Sequence, residues 1–162
     1  MRIDAERVFS AHDHAACRQA TLERAEEIVA VEGLRLTPVR RRTLEILLES
    51  HQALGAYEVL DRLVASGFAR QPPVAYRALD FLVDHGLAHR IRRLNAFAAC
   101  MRPGEPHRPA FLICDTCQAV AEAPGTAVAD AMLAAAGAVG FEIERMSLEA
   151  VGRCPACREA RA

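Results

Sequence analysis

Four cysteines fall into two Cys-x-x-Cys pairs, Cys114-Asp115-Thr116-Cys117 and Cys154-Pro155-Ala156-Cys157, with 36 residues between them. No other feature constrains the fold as tightly. The gap is longer than in a simple zinc ribbon. It has room for a strand, a helix and a second strand, so the pairs can meet once the chain doubles back. At the start of the chain Asp4 and Glu6 stand where the apolar stretch of an export signal would begin, so no signal peptide is expected. In that setting paired cysteines point to metal or redox chemistry rather than a disulfide framework. Four thiolates around a tetrahedral Zn²⁺ make a closed structural site, worth on the order of 10–16 kcal/mol of apparent binding free energy. A thioredoxin-like dithiol asks for one pair at a strand-to-helix junction, whereas each pair here is expected at a strand end. Structural zinc is the preferred reading.

The segment around the pairs reads as a small α+β unit. Ala110–Ile113 and Ala119–Glu122 are strand-like, and a helix is expected from Pro124 to about Val139. A further strand is expected from Phe141 to Val151, where Phe141 and Ile143 alternate with Glu142 and Glu144. Such a unit is too small to bury a large core and needs a staple or a partner. Its most apolar run, Ala127 to Phe141, is interrupted by Asp130 and is too short to cross a bilayer. A cytoplasmic location with no membrane partner is the expectation.

Upstream, residues 21–33 read as a charged helix closed by Gly33. A second helix follows Leu36-Thr37-Pro38, with Thr37 as N-cap and Pro38 at the first helical position. A third runs near Tyr57–Ala65. A fourth starts at Pro72-Pro73, with Ala75, Leu79, Leu82 and Val83 on its apolar face, and stops at Gly86. At 100° per residue Arg77, Asp80 and Asp84 point away from that face and Tyr76 lies on its border. Leu87–Arg92 and Ala96–Cys100 then form a hairpin around Arg93-Leu94-Asn95. Residues 34–93 carry 10 Arg against 6 acids, a net of +4, while the flanks are −3 and −2. A polyanion would bind in this middle part. Three helices and a hairpin in a basic segment are the plan of a winged helix-turn-helix, whose last helix enters the major groove. The other reading of the same pattern is a small helical domain with a solvated face.

The fold expected is therefore α+β: a flexible N-terminal segment (1–20), a winged-helix unit with hinge (21–102), and a zinc-stapled dimerisation unit (103–162). The break at Met101–Pro109 separates the last two. His89, Cys100, His107 and Glu122 straddle it. Singly each has a plain explanation as a strand histidine, a core thiol, a loop histidine or a solvated acid. Together they offer a mixed N/S/O donor set that suits Zn²⁺ and would tie the units to each other. His12, Asp13, His14 and Cys17 form a smaller cluster near the start, read as part of a mobile acidic terminus rather than as a metal site.

The run Arg35-Leu36-Thr37-Pro38-Val39-Arg40, the block Tyr76-Arg77-Ala78-Leu79-Asp80-Phe81-Leu82 and the two cysteine pairs together resemble the ferric uptake regulator superfamily. The resemblance is closest to its zinc uptake regulator branch and covers about residue 21 to Cys157. It implies a homodimeric, zinc-responsive repressor of zinc uptake genes that binds operator DNA, with two zinc ions per chain. Cys114, Cys117, Cys154 and Cys157 would hold the structural ion, and His89, Cys100, His107 and Glu122 the regulatory one. Tyr57 and Arg77 would reach bases, with Tyr76, Arg35 and Arg40 supporting DNA contact. The thiol of Cys100 favours zinc over the iron- or peroxide-responsive branches. Two departures stand out. The recognition helix opens Pro72-Pro73-Val74-Ala75 where the family has Pro-Pro-Thr-Val, which removes a hydroxyl. The stretch Arg145–Val151 lacks the histidine of a further metal site, so that site is not expected.

Readings from other classes fare less well. A zinc deaminase needs His-x-Glu before its cysteine pair, and no such triplet occurs. A zinc-binding dithiol oxidoreductase rests on the pairs alone. A zinc store leaves the basic middle unexplained. Neither an enzymatic activity nor a small-molecule substrate is expected.

Overall fold

The computed structural model describes residues 8–9, 13–68 and 71–160. Four helices open the chain: α1 (His14–Val31), α2 (Pro38–Leu47), α3 (Ala56–Ala65) and α4 (Pro72–Asp84). The first begins seven residues earlier than the charge pattern suggests. The Asp13 carboxylate accepts a hydrogen bond from the Ala16 amide at 3.1 Å, and that cap lets the helix start at His14. Cys17, Thr21, Leu22, Ala25 and Val29 form its buried stripe. Residues 14–20 therefore belong to α1 and not to a separate flexible segment, while His12 lies outside the described residues. Thr37 sits at the N-cap of α2 but makes no side-chain cap bond, leaving Pro38 to set the helical start. In α3 the Glu58 carboxylate reaches back to the Gly55 amide at 2.7 Å. The C-terminal stop of α4 is Gly86, at φ +65°.

The hairpin is β2 (Ala88–Ile91) and β3 (Ala96–Ala99), with Asn95 in the left-handed region at the turn. A short strand, β1 (Leu54–Gly55), pairs antiparallel with β3 at Leu54↔Phe97. The wing is thus a three-stranded sheet in the order β1-β3-β2, not the two-stranded one expected. Leu44, Ile46, Leu47, Val59, Leu63, Leu79, Leu82 and Leu87 pack at its centre with the helices.

Beyond the break, β4 (Pro109–Cys114) lies between β5 (Val120–Pro124), antiparallel, and β6 (Glu149–Gly152), parallel. Helix α5 (Thr126–Ala138) makes the crossover and a short α6 (Pro155–Glu159) ends the chain. Gly125 passes so close to the preceding strand that a Cβ there would stand 2.7 Å from the Arg108 carbonyl. Residues 141–148 do not form the expected strand: Phe141, Glu142 and Glu144 are exposed, and only Glu149–Gly152 pairs. Alternation on its own cannot supply the hydrogen-bonding neighbour a strand requires.

A second, smaller core joins the two units. Ile91 of β2 is buried with Phe111, Ile113 and Val120 of the second sheet, and Leu94 and Ala98 pack against them. The wing is thereby held against the C-terminal unit by apolar contact. That contact places His89 and Cys100 next to β5.

Candidate metal centres and nucleic-acid face

The doubling back brings both cysteine pairs together. Cys114 ends β4 and Cys154 follows β6, strands that run in parallel with Cys114 opposite Gly152. Cys117 Sγ lies 3.8 Å from Cys154 Sγ, and all four sulfurs fall within 4.8 Å of one another. Sulfurs bound tetrahedrally at about 2.3 Å stand roughly 3.8 Å apart. The amides of Cys117 and Cys154 draw the Cys114 thiol down to about 6, toward the thiolate form that binds a metal. The Cys154 side chain, burial, and then the Cys117 and Cys114 side chains push the Cys157 thiol up to about 12. The second pair departs from expectation in one respect. Cys154 is the N-cap of α6, so this pair does sit at a strand-to-helix junction. Convergence of four sulfurs, rather than the position of either pair, is what argues for a metal here.

The junction set also assembles. His89 comes from β2, Cys100 from the end of β3, His107 from the linker and Glu122 from β5. His107 Nε2 stands 2.6 Å from Glu122 Oε1 and 3.7 Å from Cys100 Sγ, and His89 Nε2 stands 3.4 Å from Glu122 Oε2. Cys100 is fully buried and the Glu122 side chain is 6% exposed. Apart from these close contacts, His89 Nε2 and Glu122 Oε1 are buried and make no well-aligned hydrogen bond among the described residues. A cation bound among these buried donors would satisfy them. His107 Nδ1 donates to the Glu105 carbonyl at 2.6 Å, which leaves its Nε2 lone pair facing the cluster. Burial pushes the Glu122 carboxyl up, but the His89 imidazole, the Met101 amide and His107 outweigh it, and it lies below the usual carboxylate range. Burial, and then the charge of Glu122, pushes the Cys100 thiol up to about 12. The donors fit a borderline divalent ion.

On α4 the buried side is Ala75, Ala78, Leu79, Phe81 and Leu82, and Arg77 and Tyr76 face outward. Tyr57 and Tyr76 are 64% and 41% exposed and meet edge to face at 6.5 Å. Arg77 Nε donates to the Pro73 carbonyl at 3.2 Å. Arg40 is folded over the Phe81 ring, 3.6 Å from its centroid, and donates to the Arg35 carbonyl at 3.0 Å.

No family model matches the chain. It is 38% identical over 145 residues to the zinc uptake regulation protein of Escherichia coli (strain K12), covering 89% of this chain and 85% of that one. The chain belongs to the zinc uptake regulator branch of the ferric uptake regulator superfamily. Among solved structures it is similar to a zinc uptake regulator complexed with zinc and DNA. The TM-score is 0.83 at 37% identity, over 89% of this chain and 97% of that one. Against holo XcZur the TM-score is 0.78 at 36% identity, covering 86% and 98% of the two chains. Against apo XcZur it falls to 0.53 at 35% identity, covering 88% and 99%. At nearly equal identity, the arrangement of the parts is more similar to that in holo XcZur than to that in apo XcZur.

The relatives are named as regulators, which sets aside the oxidoreductase reading. No described helix is long and apolar enough to cross a membrane. Two residues that bear on the site escaped the sequence. His51 joins His14 and Cys17 from a loop after α2, and Glu149 reaches the wing from β6. Neither carries a local signal, since each partner lies more than thirty residues away.

Proposed function

We infer that this chain is a zinc-responsive, dimeric repressor that binds operator DNA when its junction site is filled and so controls zinc uptake genes in the cytoplasm. One observation carries the reading: His89, Cys100, His107 and Glu122 converge across the seam between the two units, with buried lone pairs turned toward one another. The similarity to a regulator complexed with zinc and DNA supports it, as does the closer match to the holo than to the apo form.

Bound Zn²⁺ would supply a tetrahedral set of bonds that fixes the directions of its ligands. His89 and Cys100 orient the wing sheet, Glu122 anchors the second sheet, and His107 ties the linker between them. Closing this set fixes the angle between α4 and the dimer platform. Cys114, Cys117, Cys154 and Cys157 would hold the second ion of the chain and staple β4 to β6. The platform is α5, where Val128 and Met132, with Val139 at the C-cap, leave an exposed apolar stripe. A second copy covering that stripe would set two α4 helices about one DNA turn apart, roughly 34–36 Å. Arg77, Tyr57 and Tyr76 then face base edges, with Arg35 and Arg40 beside the backbone. A near-complete switch needs roughly a 10⁴-fold preference for the DNA-competent form.

Zinc-titrated binding of the purified protein to its own upstream DNA, with metal analysis, tests this reading. Binding should appear as the second equivalent of zinc loads. Equal affinity for operator and random DNA at every zinc level would overturn it.

A further inference from the structure

We propose that His14, Cys17 and His51 form a third metal site, for a divalent ion of the zinc class, which pins the start of α1 to the seam between the two units. One ligand atom from each lies within 4.8 Å of the others, the same limit met by the two sets described above. Tetrahedral zinc holds mixed N and S ligands roughly 3.3–3.8 Å apart, so modest side-chain rotation closes the set.

The scaffold is built from two directions. His14 and Cys17 stand three residues apart on α1, on one face, behind the Asp13 cap. His51 sits in the loop after α2, and that loop is itself fixed to the C-terminal unit. The Val120 amide donates to the His51 carbonyl at 2.8 Å, and Gln52 Nε2 donates to the Cys117 carbonyl at 2.9 Å. His14 Nε2 donates to the Glu49 carbonyl at 3.1 Å, which sets the tautomer and places the lone pair on Nδ1. The two imidazoles meet edge-on with centroids 4.7 Å apart. Between the three residues lies a cavity of about 20 Å³, also bordered by Arg18, Ser50, Met101 and Glu122. That is room for one ion or one water.

A buried free cysteine is common in a packed core, but paired imidazoles are not usual core filling. Two imidazoles and a thiol that is only 2% exposed, meeting at one small cavity, make instead an N₂S donor set. Three protein ligands leave a fourth position for water, and the Arg18 guanidinium at the rim opposes a cation. The site is accordingly weaker than the four-thiolate one and exchanges its ion. Met101 borders this cavity and its amide donates to Glu122 at 3.2 Å, so filling the third site stiffens the backbone beside the junction cluster.

The test compares the full-length parent with His51→Ala, Cys17→Ser, Cys100→Ser and the double variant Cys100→Ser/His51→Ala. Bound zinc is counted at saturation after removal of free metal, and the same proteins are loaded with Co²⁺ to read thiolate-to-metal charge transfer. His51→Ala and Cys17→Ser should each lose one equivalent per chain relative to the parent. The double variant should lose one more than either single variant. Cys17→Ser should also lose part of the charge-transfer intensity, beyond what Cys100→Ser removes. Because His51 is only half-buried, His51→Ala decides the matter if Cys17→Ser fails to fold. A folded His51→Ala that binds as much zinc and cobalt as the parent overturns the proposal. Loss of zinc in Cys100→Ser is scored separately, so the junction reading stands or falls on its own result.

Discussion

Glu149, on the last strand of the C-terminal unit, accepts a hydrogen bond from the Arg92 amide at 2.7 Å and so clips the tip of the wing to the second sheet. Its other oxygen takes the Arg93 amide at 2.9 Å. Burial raises the Glu149 carboxyl, but these two amides and the Ser147 hydroxyl outweigh it, and its pKa lies below the usual carboxylate range. A lowered folded-state pKa gives stability that is complete above the unfolded value, about 4.3, and lost as pH falls through the lowered one. The clip is therefore constant at neutral pH and fails only in acid. Glu149→Ala should cost the closed arrangement about 1 kcal/mol and raise the zinc needed for operator binding roughly fivefold. An unchanged zinc midpoint in a gel-shift titration would show that the clip does not bear on closure.

Cys100→Ser separates sensing from folding. A hydroxyl is a far poorer zinc ligand than a thiolate, so operator binding should demand much more zinc while the four-thiolate ion stays in place. His89→Ala should behave alike, since it removes another arm of the same set. The metal-free Cys100 thiol, near 12, keeps its proton at every physiological pH. Loading must expel that proton, so affinity at the junction should rise with pH, by up to about tenfold per unit. An unaltered zinc titration in Cys100→Ser would falsify the sensing role, and calorimetry in buffers of different ionisation enthalpy checks the released proton.

Removing the structural ion should act on folding rather than on sensing. Cys114→Ser or Cys154→Ser should abolish the chelator-resistant zinc and much of the ordered C-terminal unit, because the site ties β4 to the end of β6. Circular dichroism and sedimentation after metal analysis read both effects. A variant that lacks this ion yet remains a stable dimer would refute the staple.

On DNA, Arg77→Ala should cost about 1–3 kcal/mol on the specific site and relax base preference there. Arg40→Ala should weaken all sequences alike, as loss of a backbone contact does. Its stacking on Phe81 adds a second effect, a fold-stability loss of about 0.5–1 kcal/mol. Melting curves run beside the gel shifts keep the two apart. Equal losses on specific and random DNA for Arg77→Ala would move that residue to the backbone.

Met132→Asp places a charge in the middle of the exposed stripe on α5. If a second copy covers that stripe, the dimer should dissociate while each chain keeps its four-thiolate zinc. Analytical ultracentrifugation at micromolar concentration reads this, and a variant that stays dimeric would put the interface elsewhere.

The sequence by itself determined what depends on neighbours along the chain. Helix starts at Pro38 and Pro72, the stop at Gly86 and the outward face of Arg77 follow from local capping and a 3.6-residue period. The cysteine pairs pointed to a metal because thiol spacing is itself a chemical signal. Tertiary structure decided everything that needs a partner from afar. The strand at Leu54–Gly55 exists because β3 offers it an edge. Residues 141–144 alternate correctly yet form no strand. His14, Cys17 and His51 become one cluster only when α1 packs across the loop after α2, a juxtaposition that no spacing in the sequence encodes. Local propensity acts through a few bonds, whereas ligand convergence is set by packing, and packing is a property of the whole fold.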